Sequence, residues 1–174
     1  MKKRFKYLLS LALGAILLCA CDDISCPLES TVACKIGFYA EAEPDDLGRK
    51  VPGAKIAIGD TLTISLVRAG LEDTVLVNRL VRQSAAALPV SYYAPEDILV
   101  LAFTDTLSRT AHDTLWYQKE DVRHWDDPGC PIHFWHHVTG LRFTRHLIDT
   151  VFINSASINY DGQENFQICF RTGE

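Results

Sequence analysis

Asp60-Thr61-Leu62-Thr63-Ile64-Ser65-Leu66 decides the fold class. Successive side chains of an extended strand point to opposite faces, so Leu62, Ile64 and Leu66 fall on one face and Thr61, Thr63 and Ser65 on the other. A strand patterned in this way belongs to a sheet with one buried face. The phrase that opens it, Asp then Thr then an apolar residue, recurs at residues 73–75, 105–107, 113–115 and 149–151. Asp closes a turn with its side chain, while Thr and a branched neighbour suit a pleated surface, so most of these phrases are expected to open strands. Beyond the second one, Val75 and Val77 alternate with Thr74, Leu76 and Asn78. The spacing of the phrases is too irregular for a solenoid or a propeller.

Working outward, a first strand is expected over residues 31–40, and others over 87–92, 98–104, 114–119, 132–144, 148–153 and 165–171. Residues 41–53 are dense in turn formers and charge and read as a loop. Pro89 and Pro95 stand near strand ends, where a missing ladder donor is tolerated. Eight or nine short strands without alternating helices predict an all-β chain, an antiparallel β-sandwich of immunoglobulin-like type. A closed β-barrel is the alternative.

The N-terminus has a different composition. A basic head (Met1-Lys2-Lys3-Arg4-Phe5-Lys6), an apolar run over 7–18 and the tetrapeptide Leu18-Cys19-Ala20-Cys21 resemble the signal peptide and lipobox of bacterial lipoproteins. That resemblance implies cleavage before Cys21, acylation of Cys21 and a membrane anchor in the cell envelope, with the outer membrane as the expected location. The apolar run is about a dozen residues, short of the roughly 20 that a spanning helix needs. Several acyl chains, at about 0.8 kcal/mol per buried methylene, hold durably where one does not. The expected organisation is a signal peptide over 1–20, a lipidated Cys21 with a short tether over 21–30, and one domain over 31–174.

Cleavage leaves 154 residues, enough for one buried core. It also removes four cations, so 13 basic residues face 22 acidic ones and the formal charge is −9. A balance of that sign argues against nucleic-acid binding and against electrostatic attraction to an anionic membrane. Cys26, Cys34, Cys130 and Cys169 remain, and four thiols in an exported chain predict two disulfides. Three pairings are open. Cys26 with Cys130 is preferred because each precedes a proline, which leaves Cys34 and Cys169 on terminal strands that could lie side by side. CxxC spacing is absent, which disfavours a zinc ribbon or a thioredoxin-type site.

The chain also resembles a family of small Bacteroidota lipoproteins known as a domain of unknown function. The resemblance rests on Cys21, Cys26-Pro27-Leu28, Phe38-Tyr39, Asp60-Thr61-Leu62, Leu88-Pro89-Val90-Ser91-Tyr92, Asp113-Thr114-Leu115-Trp116, Cys130-Pro131, Ile148-Asp149-Thr150-Val151, Asn159-Tyr160-Asp161 and Glu164-Asn165. It implies an envelope location and one β-rich domain, and it brings no activity with it.

The residue types raise three chemistries. His133, His136, His137 and His146 fall within fourteen residues, with His112 and His124 upstream. On a strand, however, His133 and His137 share a face roughly 13 Å apart, too far for one ion, and His136 points the other way with Phe134 and Val138. No metal and no cofactor are expected. Trp116, Tyr117, Trp125 and Trp135, with Asp126, Asp127 and Asn159, could serve a glycan, and Trp125 in a turn-rich segment is the candidate ligand-binding residue. Hydrolase signatures such as G-x-S-x-G and H-E-x-x-H are missing, so no catalytic residues are assigned. The expectation is a lipid-anchored, non-catalytic envelope protein that engages a protein partner, with a glycan as the alternative ligand and a metal-dependent enzyme as a distant third.

Overall fold

The computed structural model describes Cys26 and residues 32–68, 70–92, 94–125 and 128–171. The signal-like segment, Cys21 and most of the tether lie outside the described residues. Contacts divide the chain into two units, Met1–Leu28 with Trp125–Pro131, and Glu29–His124 with Ile132–Glu174.

Within the larger unit the regular structure is strand: β1 (Ala33–Tyr39), β2 (Glu43–Pro44), β3 (Lys50–Val51), β4 (Thr61–Val67), β5 (Thr74–Leu80), β6 (Ala85–Pro89), β7 (Glu96–Thr104), β8 (Thr110–His124), β9 (His133–Phe143), β10 (Ile148–Ile153), β11 (Ser157–Ile158) and β12 (Phe166–Phe170). One sheet has the order β10-β12-β1-β6 and the other β11-β9-β8-β7-β4-β5, while β2 and β3 form a small ribbon. Pairing is antiparallel except between β1 and β12. The sandwich is therefore as expected.

The period of two explains the core. Leu62, Ile64 and Leu66 on β4 are buried, as are Leu99, Leu101 and Phe103 on β7 and Leu115 and Tyr117 on β8. They meet Ile36, Phe38, Leu88, Phe166 and Ile168 of the four-stranded sheet in one cluster. Rings join the two layers: Tyr117 stands 5.3 Å from Phe166 and Phe103 stands 5.4 Å from Phe170. Each such side chain contributes about 1.5–3 kcal/mol by leaving water.

Several details differ from expectation. Only Thr61 and Thr74 open strands; Asp105 caps the β7–β8 turn instead, and Asp113 and Asp149 sit inside β8 and β10. Val75 is 54% exposed because irregular β4–β5 pairing breaks the simple alternation on this outer strand. β6 starts two residues and ends three residues earlier than predicted, and residues 41–53 include the β2–β3 ribbon.

In the smaller unit Cys26 and Cys130 form a disulfide with Cα atoms 5.5 Å apart, the preferred pairing. The second bridge is not formed: Cys34 and Cys169 are buried free thiols. Their strands do lie side by side, but the parallel register sets Cys169 opposite Tyr39, five residues beyond Cys34. At about 3.3 Å per residue that offset is roughly 16 Å, against the ~7 Å between Cα atoms that a disulfide tolerates. Burial pushes both thiols up, so they are poor nucleophiles.

Candidate functional site

The sequence Ala85-Ala86-Ala87-Leu88-Pro89 makes an unusual sheet edge. β6 pairs with β1 on one side only, with Ala33 opposite Pro89 and Gly37 opposite Ala85. Phe38 N–H donates to the Ser84 carbonyl at 3.0 Å, which sets the phase of the ladder. Hydrogen-bonded pairs alternate in an antiparallel ladder, so Ala86 and Leu88 bond to β1. The N–H and C=O groups of Ala85 and Ala87, and the C=O of Pro89, therefore point away from the sheet. Pro89 sits at an outward phase, where its missing N–H costs the ladder nothing.

The other edges carry guards. On and just after β5, Arg79 and Arg82 adopt positive φ and the β4–β5 pairing is irregular. The β10 ladder shifts between Ile148 and Thr150, and Asp149 there faces Lys50 at 3.7 Å. β11 is two residues long. Charge, bulges and brevity discourage strand addition, and β6 has none of these over its five residues.

Beside β6 lies a depression of about 370 Å³ lined by Lys35, Ala85, Ala86, Ala87, Gly162 and Glu164. Small side chains make its floor. Gly37 admits Glu164, whose carboxylate accepts a hydrogen bond from Tyr39 Oη at 2.6 Å and pairs with Lys55 Nζ. Burial raises the Glu164 pKa, but the hydrogen bonds from Lys55 and Tyr39 outweigh it and hold the carboxyl below its usual range. Lys35 Nζ donates to the Gly162 carbonyl at 3.1 Å. Among the described residues no carboxylate stands at ion-pair distance from Lys35; Glu164, in the same wall, is paired with Lys55 instead.

Three buried charged groups elsewhere, Asp97, Asp113 and Lys119, are committed to the fold. Asp97 accepts from Tyr117 Oη at 2.7 Å and from the Ser91 backbone and hydroxyl. Lys119 Nζ donates to the carbonyls of Ser91 (2.5 Å) and Ala94 (2.7 Å), fastening the segment before β7. Asp113, 1% exposed, accepts from Thr144 Oγ1 at 2.6 Å and from the backbone N–H groups of His146, Leu147 and Ile148 at 2.7–3.0 Å. Its burial raises the pKa; the hydrogen bonds win and lower it. A cleft of about 240 Å³ lined by Ile58, Phe103, Leu147 and Phe170, with Asp60 and Arg171 also in its wall, is smaller than the usual ligand cavity.

Trp125 is 56% exposed, in the smaller unit. The other aromatic candidates are occupied: Tyr117 is core, Arg142 covers Trp116 at 4.4 Å, and His124 stacks on Trp135 at 3.6 Å. Asn159 accepts from Asp161 N–H at 2.9 Å in a turn, and Asp126 and Asp127 lie outside the described residues. His136 is buried with its Nδ1 2.7 Å from Asp121 Oδ1; desolvation lowers its pKa against the pull of Asp121. Its face is the one expected, and the cross-strand neighbour of His133 is His124. Among the described residues no three His, Cys, Asp or Glu side chains stand close enough to share a metal ion. The β6 edge was missed by the sequence reading, although an alanine run without charge between a turn and a proline was its signal.

A family model described as "Family of unknown function (DUF6452)" matches residues 61–170. No curated protein and no solved structure matches the chain.

Proposed function

Starting from a chain that belongs to DUF6452, a family of unknown function, we propose a non-catalytic, lipid-anchored accessory protein of the bacterial cell envelope that engages a protein partner through the β6 edge. The observation that carries the partner is the uncharged, unbulged run Ala85-Ala86-Ala87-Leu88, closed at one end by Pro89, whose outward backbone groups match what an added strand requires. Support for the anchor comes from the order of charge, apolar run and cysteine that ends at Cys21. The committed roles of Asp97, Asp113 and Lys119 favour a structural over a catalytic reading of the buried charges.

A glycan is the second reading, favoured by the exposed indole of Trp125. Crosslinking of the lipidated protein in intact cells, followed by mass spectrometry of recovered proteins and glycans, separates the two. One stoichiometric protein that is lost on Ala87→Pro supports the edge; polysaccharide alone, lost on Trp125→Ala, replaces it.

A further inference from the structure

Resting on that reading, we infer that the partner presents an extended segment whose aspartate or glutamate side chain enters the depression beside β6 and pairs with Lys35. The backbone of Ala85 and Ala87 offers two outward N–H donors and two outward carbonyls, enough for a short ladder that Pro89 stops at one end. Ala85 and Ala87 are exposed, and their small side chains let another main chain approach closely.

Charge selects among extended segments. The two formal charges in the wall differ: Glu164 is already paired with Lys55 and hydrogen-bonded by Tyr39, while Lys35 spends a hydrogen bond on the Gly162 carbonyl and makes no ion pair among the described residues. An ammonium has three donors, so Lys35 retains capacity for an incoming carboxylate. A basic segment meets like charge there and a neutral one leaves the cation unpaired. The mature chain is formally −9, so the attraction is local and short in range. A second copy paired through β6 is disfavoured by charge, because Ala85–Pro89 has no carboxylate to offer Lys35.

The test pans a displayed library of random eight-residue peptides against the full lipidated protein in detergent micelles. Recovered peptides are expected to carry an acidic residue among β-formers. Hydrogen exchange at the Ala85 and Ala87 amides is expected to slow at least about tenfold on binding. Changing the acidic residue to its amide, or Lys35→Gln, should weaken binding about tenfold, with little further loss when combined, and Lys35→Arg should restore most of it. Ala87→Lys should abolish binding, and unchanged circular dichroism of that variant shows that the fold survives.

Failure to enrich peptides, enrichment without acidic residues, or binding indifferent to Ala87→Lys would each overturn the inference. In cells, a protein partner lost with Ala87→Pro but kept with Lys35→Gln sinks only the acidic segment. A partner indifferent to both sinks the edge reading as well.

Discussion

A Cβ atom placed on Gly37 would stand 2.6 Å from Glu164 Oε2. The neighbour is the end of a flexible side chain, so Gly37→Ala forces Glu164 aside, and the cost is the loss of its hydrogen bonds to Tyr39 and Lys55. The expected destabilisation is about 1 kcal/mol in urea unfolding. Glu164→Gln should cost a similar amount. The double variant should cost little more than either single one, and full additivity would show that the two residues act separately.

Asp113 makes a sharper prediction. Removing its charge with Asp113→Asn leaves several buried donors of the 144–148 segment poorly matched, and about 2–3 kcal/mol should be lost at neutral pH. Its folded pKa is depressed, as is that of Glu164, so each contributes stability that is present above the unfolded carboxyl value near pH 4 and is lost as pH falls through the lower folded value. Wild-type stability should therefore fall below about pH 4–5, and Asp113→Asn should flatten that slope. Equal slopes in the two proteins would refute the role given to Asp113.

The cysteines can be sorted by labelling. Cys34 and Cys169 should resist maleimide in the native state, react in denaturant and appear unlinked in non-reducing peptide maps. Cys26→Ser should lower stability by up to about 4–5 kcal/mol in the chain-entropy treatment, because the bridge spans a sequence separation of 104 residues. A peptide linking Cys34 to Cys169 would contradict the strand register.

Cys21→Ala should move the protein out of the membrane fraction. Continued retention with an unprocessed N-terminus would replace the lipid anchor by a spanning segment.

The sandwich was legible because burial on one face imposes a period of two, and β4 and β7 show it residue by residue. β5 misled because its irregular pairing with β4 shifts which side chains meet the core, and pairing is a property of two strands. Cys34 and Cys169 misled for a related reason: adjacency of strands follows from pattern, whereas the offset along them is set by contacts far apart in sequence. Asp113 shared its phrase with turn-forming aspartates, and only the return of residues 144–148 to β8 gives it another role. The β6 edge was hidden because an open edge is defined by the strand that is not there.

The bridge between Cys26 and Cys130 also bears on how force enters the protein. If Cys21 carries the proposed lipid, four residues lie between the anchor and Cys26, and the leash of five steps of chain from Cys21 to Cys26 reaches about 17 Å when taut. A pull on that leash reaches a covalent fork at Cys26, one arm running toward β1 and the other across sulfur to Cys130. Under such a pull the load would be divided at the disulfide before it met the first hydrogen-bonded strand, so tension would not act on β1 alone.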